Sequence, residues 1–439
     1  MKYHSMAAIG FVGAIFPGFL TINAAPSDSV VWIQQQSGVH TTLWSVMFVD
    51  TMHGWAAGDA GALVRTSDGG AHWQNTIAFT SRSINSVYFI NPATGWLTTD
   101  TAQIYQSVDS GATWSLKFFT PRAFFSDCIF LDSLTGFAGG SAMSGANMYN
   151  EGIIYKTVNG GTTWTIGWSS MISVWAVGSF TFPDKNHGWA TGADYLLKTA
   201  SAGLSWMTPV EFYTMTDSAF IKSSGYINTI HFNDTLNGFG IGRNGHIIRT
   251  RDGGASWKLV SRISPWPEGI CFADQAHGVI VGEGGAVLAS GDSGATWSLS
   301  YPRRESGQII PWFRNVVFLS MNNGWLAGDS GIIMKGRFYT PPTSASLLQH
   351  SPKSNDLPKI IVRNRTTLTV YFDLRESGTV FIDFIDVWGR IAASLPAEPG
   401  YDGTRVVTFR VNQTLPCGAY YVTLRGKNHG VCAKTVVVR

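Results

Sequence analysis

Charged residues are scarce in this sequence. Only 13% of its 439 residues are Asp, Glu, Lys or Arg, and the formal net charge is +3. With 44% hydrophobic residues, so low a charged fraction argues against an intrinsically disordered chain. No stretch interleaves basic with aromatic residues, so we expect no nucleic-acid partner.

Long apolar runs are also few. After residue 25, none approaches the ~20 apolar residues of a membrane span, so we expect no span in the mature chain. Residues 1–25 differ, because Lys2 precedes an apolar run that ends near the small residues Ala24 and Ala25. This is the pattern of a cleaved secretory signal, which predicts export.

The sequence has only four cysteines. Cys128 and Cys271 occupy nearly equivalent positions in distant copies of a repeat, too far apart to pair. Cys417 and Cys432 fall on neighbouring predicted strands, but a turn near Asn428 places Cys432 opposite about Leu424. That leaves the two cysteines roughly seven residues apart along the strand, so we expect free, mostly buried thiols.

Glycine and tryptophan are abundant, with 49 and 17 residues, and many fall in one recurring pattern. A Ser or Thr is followed two residues later by an oxygen-bearing side chain, two residues after that by Gly, and three residues after the Gly by Trp. Its six copies are Thr66–Trp73, Ser107–Trp114, Thr157–Trp164, Thr199–Trp206, Thr250–Trp257 and Ser290–Trp297. The residues to which we assign a structural role are Asp68, Trp73, Asp109, Trp114, Asn159, Trp164, Trp206, Asp252, Trp257, Asp292 and Trp297. The carboxylate can accept backbone N–H groups and Gly tolerates positive φ, so the pattern predicts a hairpin turn anchored by Trp.

A second signature precedes each turn. An alternating apolar segment ends in Phe and leads to a Gly-aromatic or Gly-Val step, seven times in all. The Phe residues are Phe48, Phe89, Phe130, Phe182, Phe232, Phe272 and Phe318. Each unit predicts four short strands, here called a to d, and four-stranded units at this period predict a β-propeller.

The two ends of the repeat complement each other. The seventh unit stops after Lys335 without a turn motif or a strand d, whereas the segment from Val30 to Gln36 precedes the first unit. Trp32 lies 16 residues before Phe48, the spacing that separates Trp73 from Phe89. The N-terminal strand is therefore predicted to complete the seventh blade and close the ring.

These motifs resemble known families. The turn motif resembles the Asp-box of bacterial neuraminidase repeats. The longer frame in Gly54–Trp73 and Gly238–Trp257 resembles that of the photosystem II assembly and stability factor propellers, over Val30 to about Arg337. This resemblance implies a non-enzymatic binding scaffold, and the photosynthetic role is not carried over.

Successive strands run in opposite directions, so the a–b and c–d turns lie on one face of the propeller, which we call the repeat face. The b–c and d–a loops lie on the opposite face, which we call the insertion face. The a–b turns carry an acceptor in every blade, so we assign these residues to turn geometry rather than to catalysis or calcium binding. They are Asp50, Asn91, Asp132, Asp184, Asp234, Asp274 and Ser320.

Three insertions, Ser141–Gly152, Met207–Tyr226 and Ser300–Arg314, all fall on the insertion face. Long loops on a rigid ring are where binding residues usually lie, although such loops can also merely pack over the channel mouth. The candidate binding residues are Tyr149, Phe212, Tyr213, Arg243, Arg303, Arg304 and Trp312. The b–c turns add Asp59, Glu283 and Asp329 to this face.

Enzymatic motifs are missing. No Phe/Tyr-Arg-Ile-Pro segment of sialidases is present, and no carboxylate pair is singled out for glycoside hydrolysis. No metal, phosphate-loop or Ser/His/Asp pattern stands out, so we expect no catalytic residue, metal or cofactor. The alternative is a sialidase- or xyloglucanase-like surface glycoside hydrolase, with Glu151, Glu283 and Glu305 as candidate acids.

The C-terminal part differs from the repeats. After a linker at 339–356, residues 357–439 alternate as strands, with marks at Asp386–Arg390, Leu415–Tyr420 and Lys434–Val437. These resemble the C-terminal sorting domain of the type IX secretion system, an immunoglobulin-like sandwich, although its Pro-Asn-Pro opening is absent. The resemblance implies that residues 357–439 engage that machinery; a generic partner-binding sandwich is the alternative.

The sequence thus predicts an all-β chain: a signal peptide at 1–25, a seven-bladed β-propeller at 26–338, a linker, and a small immunoglobulin-like β-sandwich. The expected function is non-enzymatic binding of an unidentified protein or glycan, at the cell surface or in the medium.

Overall fold

The computed structural model describes the propeller at residues 30–76, 79–121, 123–144, 149–170, 176–192, 195–211, 227–242, 245–264, 266–302 and 311–338, and eight strands between 359 and 438. The predicted signal peptide and linker lie outside the described residues. Ser27–Thr343 form one compact unit.

This unit consists of seven four-stranded antiparallel sheets. Blades 1 to 3 comprise β2 Leu43–Phe48, β3 Gly54–Gly58, β4 Leu63–Thr66 and β5 Gln74–Asn75; β6 Ile84–Phe89, β7 Gly95–Thr99, β8 Gln103–Ser107 and β9 Ser115–Phe119; and β10 Ala123–Phe130, β11 Gly136–Ser144, β12 Tyr149–Thr157 and β13 Thr165–Ser169. Blades 4 to 6 comprise β14 Ser179–Thr181, β15 Gly188–Thr191, β16 Tyr195–Thr199 and β17 Met207–Glu211; β18 Ile227–Phe232, β19 Gly238–Gly242, β20 His246–Thr250 and β21 Lys258–Arg262; and β22 Pro267–Phe272, β23 Gly278–Gly282, β24 Val287–Ser290 and β25 Ser298–Ser300. Blade 7 comprises β26 Phe313–Ser320, β27 Asn323–Gly328, β28 Ile333–Phe338 and, from the N-terminus, β1 Val30–Gln35.

The ring is closed by the N-terminal strand, as predicted. Strand β1 pairs antiparallel with β28, from Val30 opposite Phe338 to Gln35 opposite Ile333. Trp32 meets the ring of Phe318 edge-on, with centroids 5.8 Å apart. The first strands of neighbouring blades lie against one another around the whole circle, including β26 against β2. The prediction of a seven-bladed β-propeller is confirmed.

The Asp-box turns have the geometry that their residue types suggest. In blade 1, the Thr66 hydroxyl donates to Asp68 Oδ1 at 2.8 Å and accepts the N–H of Gly70 at 2.9 Å. Asp68 Oδ1 also accepts the backbone N–H of His72 at 2.9 Å. Gly69 and Gly70 have φ of 71° and 87°, values that favour glycine.

The core is divided among the blade interfaces, where aromatic rings interlock. The strand-b aromatic of one blade stacks on the strand-a Phe of the next, and that Phe meets its own Asp-box Trp edge-on. Trp189 of blade 4, for example, stacks on Phe232 of blade 5 at 3.7 Å, and Phe232 meets Trp257 at 5.9 Å. The indole N–H of Trp189 also donates to the carbonyl of Gly253 in the blade 5 Asp-box, at 3.1 Å. Stacking of this kind joins six of the seven pairs of adjacent blades.

Cys128 and Cys271 are buried free thiols, as expected. Burial raises the pKa of Cys271 to about 11, so this thiol stays protonated and unreactive. Cys432 pairs opposite Thr423, one residue from the predicted Leu424, and Cys417 lies outside the described residues.

Acid should weaken the Asp-box turns. Hydrogen bonds from the Thr113 hydroxyl and backbone N–H lower the pKa of Asp109 to about 2. A carboxyl with a depressed folded-state pKa stabilises the fold above its unfolded pKa of about 4, and this contribution is lost as pH falls towards 2. Asn159 holds the same position in blade 3, accepting the N–H of Thr163 at 2.9 Å without a titrating group.

We therefore expect Asp109→Asn to lose less thermal stability than the parent between pH 4 and pH 2. The reciprocal Asn159→Asp should lose more. Melting temperatures measured across this range check both changes, and identical pH slopes for all three chains would contradict the assignment.

The C-terminal strands form two further four-stranded antiparallel sheets. One contains β29 Lys359–Asn364, β30 Thr367–Asp373, β33 Glu398–Pro399 and β34 Thr404–Arg410; the other contains β31 Phe381–Asp386, β32 Ile391–Pro396, β35 Gly418–Arg425 and β36 Gly430–Val438. The region is therefore rich in strands, as expected, and its immunoglobulin-like packing stays a prediction.

Candidate functional site

The insertion face carries a connected group of aromatic and charged side chains at blades 6, 7 and 1. We call it the mouth cluster, because its members lie at the start of the first strands or in the adjoining b–c turns. It consists of Trp44, Asp59, Trp266, Glu268, Glu283, Trp312, Arg314 and Asp329.

A short motif brings the acids to the tryptophans. In these three blades the b–c turn reads Gly-acid-x-Gly and forms a 3-10 turn: Asp59–Gly61, Glu283–Gly285 and Asp329–Gly331. The backbone N–H of each acid donates, at 2.9 Å, to a carbonyl just before strand a; for Glu283 and Asp329 the acceptors are Trp266 and Trp312. A Cβ on the preceding glycine would meet that carbonyl, at 2.1 Å for Gly282, so glycine permits the close approach.

Arg314 is the centre of the cluster. Its guanidinium forms two bonds to Asp329, from Nε to Oδ1 at 2.8 Å and from the second terminal nitrogen to Oδ2 at 3.2 Å. A third bond, of 3.4 Å, reaches Oε1 of Glu268. The guanidinium carbon lies 4.7 Å from the ring centres of both Trp44 and Trp312. Planar stacking and bidentate pairing are the interactions for which arginine is suited, so the group is fixed before any ligand binds.

The indoles extend from this centre to the surface. Trp44 donates its N–H to Oδ1 of Asp59 at 2.7 Å. On the other side, Trp266 meets Trp312 edge-on, with centroids 6.2 Å apart, and remains 42% exposed. The backbone N–H of Trp266 donates to Oε2 of Glu283 at 3.2 Å. The cluster thus presents an exposed aromatic ring beside a carboxylate.

Of the predicted binding residues, Trp312 lies in the mouth cluster, together with the b–c acids Asp59, Glu283 and Asp329. Tyr149 begins β12, where the structure describes its backbone. The other predicted binding residues lie outside the described residues: Phe212, Tyr213, Arg243, Arg303 and Arg304.

The described residues of the first predicted insertion are strand rather than loop. Its residues continue strands β11 and β12, pairing from Ser141 opposite Gly152 to Ser144 opposite Tyr149. Met207–Glu211 of the second insertion is likewise strand β17, whereas most of the third insertion lies outside the described residues.

Sequence reasoning missed Trp44, Trp266, Glu268 and Arg314 as site residues. A signal was available, because the strand-a Phe of each blade gives a common register. Four residues before that Phe stand Trp44, Glu268 and Arg314, and six residues before it stand Trp266 and Trp312.

Of the candidate acids of the hydrolase alternative, the two that the structure describes are not brought together. Glu151 lies on β12 of blade 3, and Glu283 lies in blade 6 bonded to Trp266. Glu305 lies outside the described residues. Within the described ranges, no three His, Cys, Asp or Glu side chains are grouped so that they could hold a metal ion. No helix among those ranges is long and apolar enough to cross a membrane.

The fold and its repeats define an Asp-box β-propeller, and comparison with known proteins agrees. Residues 24–180 match the family model described as photosynthesis system II assembly factor YCF48. That is less than half of the chain. No curated protein matches.

Solved structures share the fold. YCF48 bound to D1 peptide is 19% identical, with a TM-score of 0.55, over 70% of this chain and 96% of that one. YCF48 from Cyanidioschyzon merolae is also 19% identical, with a TM-score of 0.56, over 70% and 99%. The WD40 propeller domain of Doa1 is 12% identical, with a TM-score of 0.54, over 71% and 98%. At these identities the likeness shows the propeller fold alone, so any ligand must be argued from the chain's own residues.

Proposed function

We propose that this chain is an exported, non-enzymatic propeller that binds a segment of a partner protein at the mouth cluster. The observation that carries the proposal is the fixed Arg314, held between two indoles next to the exposed ring of Trp266. Binding sites commonly combine such apolar rings with a few placed polar groups. The related propeller YCF48 is bound to a D1 peptide, which supports a peptide as the class of ligand.

Delivery is proposed from sequence marks. The signal pattern of residues 1–25 supports passage through the inner membrane. The sorting-domain marks of residues 357–439 support passage through the outer membrane by the type IX secretion machinery. The propeller would then act at the cell surface or in the medium.

The arrangement of carboxylates favours binding over glycoside hydrolysis. A glycosidase generally needs one carboxylic acid that gives up its proton and a second carboxylate that remains ionised. Here Asp329 and Glu268 both accept hydrogen bonds from the guanidinium of Arg314, so each is engaged as a hydrogen-bond acceptor. Neither is placed as a proton donor.

A paired binding screen tests the proposal. The full chain would be screened against a displayed peptide library, a glycan array and a panel of glycosidase substrates, beside a Trp266→Ala/Trp312→Ala variant. Leu134→Ala is the matched control, since Leu134 is a similarly exposed apolar residue on the repeat face.

We expect peptides to be enriched by the parent and by the control but lost by the double variant, with no substrate turned over. Equal peptide binding by the double variant would show that the binding site does not include Trp266 and Trp312. Turnover of a glycoside, or binding of glycans alone, would contradict the proposed function.

A further inference from the structure

The mouth cluster is acidic although the chain is not. Within the described residues the cluster has four carboxylates, Asp59, Glu268, Glu283 and Asp329, and one guanidinium, that of Arg314, so its formal charge is −3 (one positive and four negative charges). The whole chain carries +3. Chain composition therefore does not explain this local charge, which favours a ligand segment of the opposite sign.

The mouth cluster already binds one cation of the chain itself, the guanidinium of Arg314. The same kind of contacts could bind a cation of a partner. Arg314 lies 4.7 Å from two indole rings and pairs with two carboxylates. In blade 6, Trp266 and Glu283 provide one indole and one carboxylate of the same kind. Within the described part of the chain, no cation lies against them. Trp266 is 42% exposed, and its backbone N–H donates to Oε2 of Glu283. Within the described residues, no donor reaches the other oxygen.

We infer that Trp266 and Glu283 form a subsite for a Lys or Arg side chain of the partner segment, with the cation over the indole and paired with the carboxylate. This inference deepens the proposed function and rests on it. An indole face attracts a cation through its quadrupole, and tryptophan does so most strongly. A carboxylate beside it adds a charge-assisted hydrogen bond.

The test uses four fluorescent Gly/Ser peptides of equal length that differ only in three spaced positions: Arg, Lys, citrulline or Glu. Citrulline keeps the shape of arginine but has no charge. Binding to the full chain would be measured by fluorescence anisotropy at low and high salt. The variants are Glu283→Gln, which keeps the side-chain size, Trp266→Ala, and Leu134→Ala as the repeat-face control.

We expect the Arg and Lys peptides to bind about two- to fivefold more tightly than the citrulline peptide, the size of one exposed cation–π contact. The advantage should shrink in high salt and in Glu283→Gln and Trp266→Ala, and remain in Leu134→Ala. Equal binding of Arg and citrulline peptides, or an advantage unchanged by both site variants, would overturn the inference.

The library screen separates the two levels of failure. If library peptides depend on Trp266 and Trp312 but carry no basic residue, the subsite is wrong and the proposed function stands. If neither the library peptides nor the basic Gly/Ser peptides bind, the subsite and the proposed function are both wrong.

Discussion

A chain that begins at residue 37, and so lacks strand β1, is expected to lose the cooperative unfolding transition of the propeller. Val30 and Val31 are buried, and Trp32 packs on Phe318. Removing the strand also frees the edge of β28, which pairs with β1 over six residues. Each lost apolar side chain contributes about 1.5–3 kcal/mol, and the sum approaches the 5–15 kcal/mol that stabilises a typical domain.

Calorimetry and limited proteolysis would measure this effect. The matched control begins at residue 27, which removes the predicted signal but keeps β1. We expect a single sharp transition for the control, and early digestion with a broad or absent transition for the shorter chain. Melting temperatures within about 2 °C of each other would show that β1 does not close the ring.

Trp189→Ala is expected to destabilise the propeller by about 3–5 kcal/mol, the usual cost of truncating a buried aromatic side chain. The side chain is 0% exposed, stacks on Phe232 and donates to the Gly253 carbonyl across the blade interface. The truncation therefore leaves a cavity between two blades, and that carbonyl keeps only its bond from Lys198.

The chain supplies its own control for this substitution. Phe137 and Phe239 occupy the same strand position in blades 3 and 5, and each stacks on the Phe of the next blade. Trp189→Phe should therefore cost clearly less than Trp189→Ala. Chemical denaturation would measure both, and equal costs would mean that interblade stacking does not set the stability of this interface.

The fold could be predicted because it is repeated. Seven copies of a Phe-to-Gly-aromatic step give the blade count, and the spacing from Trp32 to Phe48 predicts closure. The residues of the site do not follow the repeat pattern, and they become neighbours only when the ring closes. Trp44 and Arg314 come from opposite ends of the propeller sequence and meet because β26 lies against β2.

The number of residues between successive strands was a weaker guide to the site. The residues between Ser141 and Gly152 exceed the usual b–c length, which a loop or a longer hairpin would explain equally well. The structure extends the hairpin, because strand pairing satisfies backbone groups that a loop would leave to water or side chains. In this chain, tryptophans at fixed positions before the strand-a Phe are the better signal for the site.

The central claim is that the mouth cluster is where this propeller binds its partner, and the structure of a complex tests it most directly. A library-selected peptide would be crystallised with the full chain. We predict that it lies over blades 6, 7 and 1 and contacts Trp266 and Trp312. A peptide seated on the Asp-box turns of the repeat face, or along the outer strands of a blade, would contradict the account.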